Sequence, residues 1–297
     1  MNKVTWFVSL ICLVVTATAA AATTATNAQR LSGMIAFSAG PFENGTTDIY
    51  TVRADGSELR RLTGGTGRKF DPALSPDGRR IVFRFQRGDD RTAEIYLMNV
   101  DGSQLRNLTR NQAMDYAPSW SPDGKRIVFA SDRGGFFPHI YVMNADGSGP
   151  RRVGRSTGEY PSWSPDGKRI AFGVLMGSSS SSFEIYVMRS DGSNLRRLTR
   201  NRVTDNCPSW SPSGRLIVFH RNARNGLPRL YVMRPDGSDL RRLSSVPGEV
   251  PDWSPEGRYI VYSAMGFAVM SANGSHSMPL DLGDLQQPGF PSWSIAP

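Results

Sequence analysis

A single string, Pro118-Ser119-Trp120-Ser121-Pro122-Asp123-Gly124-Lys125-Arg126-Ile127-Val128-Phe129, recurs along the chain and limits what the chain can fold into. It returns as Pro161–Phe172, as Pro208–Phe219 with Ser213 for the aspartate, and as Pro251–Tyr262 with Glu256 there. A weaker copy, Pro72–Phe83, has Leu74 where the others have tryptophan. The serine before the second proline falls at 75, 121, 164, 211 and 254, a period of 43 to 47 residues. After each copy comes a second half, such as Glu94–Ser103 or Glu184–Ser193, followed by a dibasic stretch such as Leu195-Arg196-Arg197-Leu198. A period in this range marks an array of like units that bury their apolar faces against one another.

Each unit reads as four short strands. Ile127-Val128-Phe129 and Ile140-Tyr141-Val142-Met143 are β-favouring runs bounded by turn formers. Strand a carries Pro-Ser-Trp-Ser and strand b Arg-Ile-Val-Phe, joined by Pro-Asp-Gly. Strand c carries Ile-Tyr-Val-Met and strand d Leu-Arg-Arg-Leu, joined by Asp-Gly-Ser. Glycine (30) and proline (20) leave little room for long helices. A four-stranded repeat of this length is a propeller blade. Six b strands, at 35–37, 81–83, 127–129, 170–172, 217–219 and 260–262, predict six blades. The first lacks a strand a, and the chain ends in an orphan one, Pro291-Ser292-Trp293-Ser294. The expected fold is therefore an all-β, six-bladed propeller whose C-terminal strand pairs with the N-terminal blade.

Ahead of the repeats, Lys3 precedes the apolar run Val4–Val15 and the small-residue stretch Ala17–Ala25, the layout of a secretory signal peptide. Cleavage sites fall after Ala19, Ala21 or Ala28, so residues 1–28 are expected to leave a mature domain over 29–297. The alternative is an uncleaved anchor over Val4–Ala22. Cys12 follows bulky Ile11, which does not fit a lipoprotein site. Only Cys207 survives processing, which excludes an internal disulfide and a cysteine-based metal cluster. The expected location is the periplasm or the medium.

These Trp-Ser-Pro-Asp-Gly and Ile-Tyr-Val-Met repeats resemble those of the TolB-type, WD-repeat-like β-propeller family, which includes periplasmic TolB and the propellers of prolyl oligopeptidase-like enzymes. The resemblance runs from about Gly33 to Trp293. It implies the fold; the blade itself is reused for many functions. Two features of the relatives have no counterpart here. TolB carries an α/β domain ahead of its propeller, so a place in a Tol-Pal-like system stays open. The peptidases carry a Gly-x-Ser-x-Gly elbow, so hydrolase activity of that type is not expected.

The tryptophans at 120, 163, 210, 253 and 293 share one repeat position and read as core. Arg60, Arg61, Arg106, Arg151, Arg152, Arg196, Arg197, Arg241 and Arg242 all lie on strand d, where charge guards an exposed edge. The net charge of +9 also admits an anionic wall polymer or lipid head group as partner. Nucleic acid is not expected, since no basic patch is interleaved with stacking aromatics. His139, His220 and His276 share no repeat position, and no cofactor or metal is expected.

Recognition is expected on the face of the b-c and d-a connections, because Arg84–Ala93, Ser131–Pro138, Gly173–Phe183 and His220–Pro228 differ in length and type. The Ser178–Ser182 run within the third reads as a flexible loop. Phe136 and Phe137 are candidate exposed anchors there, unless the loop packs on its own blade. In the three residues before each strand-a proline stand Asp71, Asp115, Glu159, Asp205 and Glu249. They are expected to form an acidic ring at the channel mouth that attracts a cationic peptide end or a divalent cation, with binding that weakens as pH falls. The alternative is local turn chemistry. Together these features describe an exported, non-catalytic, monomeric binding module or scaffold for a protein, peptide or envelope glycan. The alternative is a metal-dependent hydrolase or lyase with its site in the channel.

Overall fold

Continuous apolar runs such as Ile127-Val128-Phe129 bury both faces of each b strand, one against the sheet before and one against the sheet after, and the repeat supplies six such sheets. The computed structural model describes residues 31–40, 46–88, 92–177, 182–222, 226–264, 266–283, 285 and 289–296. The expected signal segment 1–28 lies outside them, as do residues 178–181 of the serine-rich loop and parts of two other variable connections, 89–91 and 223–225.

Blade 1 contains β1 (Met34–Ala39), β2 (Asp48–Arg53) and β3 (Arg60–Arg61); blade 2 contains β4 (Arg68–Leu74), β5 (Arg80–Gln86), β6 (Glu94–Asn99) and β7 (Arg106–Asn107). Blade 3 comprises β8 (Asp115–Trp120), β9 (Arg126–Ser131), β10 (His139–Asn144) and β11 (Arg151–Thr157). Blade 4 comprises β12 (Glu159–Trp163), β13 (Arg169–Leu175), β14 (Phe183–Arg189) and β15 (Arg196–Arg197). In blade 5 are β16 (Asp205–Trp210), β17 (Ile217–Asn222), β18 (Pro228–Met233) and β19 (Arg241–Pro247). Blade 6 has β20 (Glu249–Trp253), β21 (Tyr259–Ala264), β22 (Gly266–Ser271) and β23 (Met278–Leu280), and β24 (Gly289–Ser294) returns to blade 1. The sheets are antiparallel and four-stranded, and the first has the order β24-β1-β2-β3, with Ile35 opposite Trp293 and Met34 opposite Ser294. The chain is thus a six-bladed propeller, with no helix among the described residues.

Strands a (β4, β8, β12, β16, β20 and β24) each touch the a strands of both neighbouring blades and so form a closed inner ring. The core lies between blades. Leu97 and Leu108 of blade 2 pack with Trp120, Phe129 and Tyr141 of blade 3, and Val142 and Val153 of blade 3 pack with Trp163 and Phe172 of blade 4. Each repeat tryptophan is buried, and an arginine from the preceding blade's strand b covers three of them: Arg80 over Trp120, Arg126 over Trp163 and Arg169 over Trp210, at 4.7, 4.8 and 4.7 Å. Leu74 fills the equivalent position in blade 2. The strand-d arginines 60, 61, 106, 151, 152, 196, 241 and 242 are exposed on the outer strands, as an edge-protecting role requires.

Candidate binding site at the axial mouth

Every strand a contains an internal proline, which cannot donate to a sheet ladder. The strands accommodate it with a bulge. The register slips between Phe70 and Ala73, Tyr116 and Ser119, Glu159 and Ser162, Asn206 and Ser209, and Glu249 and Asp252. At each bulge the residue before the proline is left-handed, with φ of 51° at Asp71, 49° at Ala117 and Tyr160, 52° at Cys207, 48° at Val250 and 54° at Phe290. Such backbone costs on the order of 1–3 kcal/mol per residue and persists only where the surrounding fold imposes it. All six residues line an axial cavity of ≈ 150 Å³, together with the prolines and a deeper ring that includes Ser209, Asp252 and Ser292.

This geometry selects among the expected site residues. Asp71 lines the cavity: it sits 3.7 Å from Arg84 and accepts from the Ala117 amide at 3.2 Å, while its Oδ1 and Arg84 Nε have no hydrogen-bond partner among the described residues. Burial pushes its pKa up against the pull of Arg84. Asp115 and Asp205 stand two residues earlier and lie behind the cavity. Asp115 pairs with Arg133 at 2.7 Å and accepts from Asn111 Nδ2 at 2.6 Å; Asp205 pairs with Arg221 at 2.6 and 2.7 Å and accepts from Asn201 Nδ2 at 2.6 Å. Glu159 is half-buried against the Tyr116 hydroxyl, and desolvation raises its pKa. Glu249 is exposed, and its pKa is also raised by desolvation. The five carboxylates therefore do not meet as a ring: one faces the cavity, and two are buried and bound to half-buried arginines.

Two of the lining residues, Tyr160 and Phe290, are aromatic, and buried Tyr116 and Phe70 pack against them. Tyr116 and Tyr160 meet edge to face at 6.1 Å, Tyr160 stacks on Phe290 at 6.5 Å, and Phe290 meets Phe70 at 6.4 Å. In the repeat alignment Tyr160 and Phe290 share the column of Asp71, and Phe70 and Tyr116 that of Glu159 and Glu249, whereas Asp115 and Asp205 stand one column further from the proline. Phe136 and Phe137 form an edge-to-face pair at 5.3 Å on the β9–β10 loop and are 87% and 47% exposed, so that loop does not cover them. Cys207 faces the cavity, and burial, with Asp71, Glu249 and Glu159 adding, pushes its thiol well above its ordinary pKa, which disfavours the thiolate. Burial lowers His220 to about 4, and its Nδ1 accepts from the Val250 amide at 3.5 Å. Among the described residues no group of three or more His, Cys, Asp or Glu is placed to hold a metal ion.

Asp252 was not anticipated. It is the acidic break in a ring that carries serine in four other blades. Its Oδ1 accepts from Ser209 Oγ of blade 5 and its Oδ2 from the Trp293 amide of β24, both at 2.8 Å, so it ties three blades together where the ring closes. Burial raises its pKa to about 6, against three hydrogen bonds that pull it down. A raised carboxylate stabilises the fold fully below its unfolded pKa near 3.8, and that contribution is lost as pH rises through the folded value. Asp252→Asn is expected to gain relative to wild type between pH 4 and 7, by up to about 3 kcal/mol. Denaturant melts of both proteins across that range measure the difference; a constant offset would show an unshifted Asp252.

Comparison with known proteins places this geometry in context. The TolB beta propeller domain model matches residues 42–173 and 155–295. TolB from Acinetobacter baumannii superposes with a TM-score of 0.76 at 22% identity, over 89% of this chain and 67% of that one. A provisionally assigned TolB from Agrobacterium tumefaciens gives 0.66 at 22%, over 84% and 88%. Oligogalacturonate lyase from Vibrio parahaemolyticus gives 0.56 at 13%, over 82% and 73%. No curated protein sequence matches the chain.

Proposed function

The chain belongs to the TolB β-propeller family, and on that premise we propose that it is an exported binding module that performs no chemistry itself. It takes a protein or peptide partner on the face of the b-c and d-a connections, with one partner side chain entering the axial mouth. The observation that carries this reading is the cavity. At ≈ 150 Å³ it is well below the 300–1,000 Å³ typical of small-molecule sites and suits a single side chain. Its aromatic border and the Asp71–Arg84 pair provide an apolar wall and a polar contact for such an insertion, and Phe136 and Phe137 offer an apolar anchor on the same face. The reading as an exported chain rests on the signal layout before residue 29, and the expected location is periplasm or medium. A hydrolase or lyase reading draws no comparable support: burial disfavours the thiolate of Cys207, and His139, His220 and His276 stand on separate elements.

Passing an envelope extract over the immobilised chain tests the proposal. A protein retained by wild type should be recovered about tenfold less on Phe136→Ser/Phe137→Ser and on Tyr160→Leu, each checked for an intact melt. Equal recovery on all three would refute this face as the docking surface.

A further inference from the structure

The opposite face, built from the Pro-Asp-Gly and Asp-Gly-Ser hairpins, is nearly uniform in sequence, so its exceptions stand out. In blade 1, Glu58 neutralises two arginines of its own hairpin, Arg53 at 2.7 Å and Arg60 at 3.3 Å. Blade 4 keeps both cations, as Arg189 and Arg196, but has Asn194 in the place of the glutamate. Blades 2 and 3 have no arginine at the first of these positions; Asn99 and Asn144 stand there and bond within their own turns, to Ser103 and Ser148. The next blade adds a second exception: Ser213 replaces the turn aspartate beside Arg215. The guanidinium groups of Arg189, Arg196 and Arg215 consequently make no hydrogen bond or ion pair among the described residues, and all three are exposed.

These three groups line two adjoining clefts between blades 4 and 5, of ≈ 570 and ≈ 770 Å³, which share Arg196, Arg169 and Pro235. Arg169 is held over Trp210 at 4.7 Å, and Arg234 stands 3.8 Å from Asp239. The other carboxylates of the clefts are engaged in their own turns. Asp166 accepts from Ser164 Oγ and the Lys168 amide, Asp191 from the Ser193 amide, and Asp236 from Ser238. The clefts thus set six cations, Lys168, Arg169, Arg189, Arg196, Arg215 and Arg234, against four carboxylates, and the forks of Arg189, Arg196 and Arg215 stay available to carboxylate or phosphate oxygens.

We infer that the clefts between blades 4 and 5 bind an acidic glycan through Arg189, Arg196 and Arg215. A linear chain with an anionic group on successive rings fits an open cleft that carries several guanidinium groups. No aromatic side chain lines either cleft among the described residues, so a protein partner would lack the buried anchor on which such interfaces depend.

The test is calorimetric titration of the full chain, at low salt, with a mannuronate hexamer, with neutral cellohexaose and with hexaglutamate. Saturable binding of the mannuronate alone is expected. Arg189→Gln/Arg196→Gln/Arg215→Gln should weaken it about tenfold or more, whereas the charge-matched Arg79→Gln/Arg106→Gln/Arg151→Gln should change it less than about twofold. Asn194→Glu restores the neutralising acid of blade 1 at a position whose backbone already accepts glutamate there, with φ of 54° at both sites, and should weaken binding about threefold or more. Absence of saturable binding, equal loss in the charge-matched variant, or equally tight binding of hexaglutamate would overturn the inference.

Discussion

Deleting Phe290–Pro297 is expected to abolish cooperative folding or to lower the melting temperature by more than about 20 °C, a far larger effect than terminal truncations usually have. The segment contains all but the first residue of β24, the inner strand of blade 1, and its loss opens both the sheet and the ring. Removing a buried tryptophan such as Trp293 alone costs about 3–5 kcal/mol. Its indole also donates to the Ser32 carbonyl at 2.9 Å, its amide to Asp252 at 2.8 Å, and Ser294 Oγ to the Ser75 carbonyl at 3.0 Å, contacts with blades 1, 6 and 2 that would all be lost. Asp252 would be left buried with one donor fewer, and β1 would present an unpaired edge. Together these losses reach the 5–15 kcal/mol that is a typical domain's whole stability. Removing only Ile295–Pro297, beyond the strand, is expected to shift the midpoint by no more than a few degrees. Thermal melts of the two truncations decide: equal midpoints would show that β24 does not hold the ring closed.

The fold was legible because each blade repeats its own instructions. Turn residues, strand-forming runs and a tryptophan recur at one spacing, so local and non-local preferences agree five times over. The site was less legible for a physical reason. Residues 71, 117, 160, 207, 250 and 290 share a column with no common chemistry, Asp, Ala, Tyr, Cys, Val and Phe, and nothing in their identities announces a left-handed backbone. That conformation, held by the bulge around it, turns this column toward the axis, Asp71 included, while Asp115 and Asp205, two residues earlier, do not line the cavity. One further signal was present. Asn111 and Asn201 each precede an aspartate by four residues, and the structure joins both pairs by a 2.6 Å hydrogen bond. Blades 4 and 6 have Gly158 and Gly248 where those aspartates stand, and there a Cβ would come within 2.5 Å of the rings of Phe172 and Tyr262. From blade 3 to blade 6 two designs therefore alternate, one tying its inner strand by an ion pair and the other packing an aromatic ring against bare backbone.

From that distinction follows a second large effect. Asp205→Ala is expected to cost about 3–5 kcal/mol, because it strands a half-buried arginine and a half-buried amide donor and not because it removes an exposed charge. Asp205 is fully buried, and Arg221 approaches it with two parallel donors while its guanidinium lies 4.6 Å from the Tyr231 ring. Without the carboxylate, the cation and Asn201 Nδ2 lose their acceptor in a region that water reaches poorly. The melting temperature should fall by about 6–15 °C. Glu249→Gln, which alters an exposed carboxylate of the same repeat region, should fall within about 0.5 kcal/mol of wild type. The double variant Asp205→Leu/Arg221→Met should recover part of the loss, since removing both charges also removes the cost of burying one alone. A thermodynamic cycle across these proteins measures the coupling directly. If Asp205→Ala melts with wild type, the aspartate is not a structural tie, and its placement behind the mouth would have to be explained by binding.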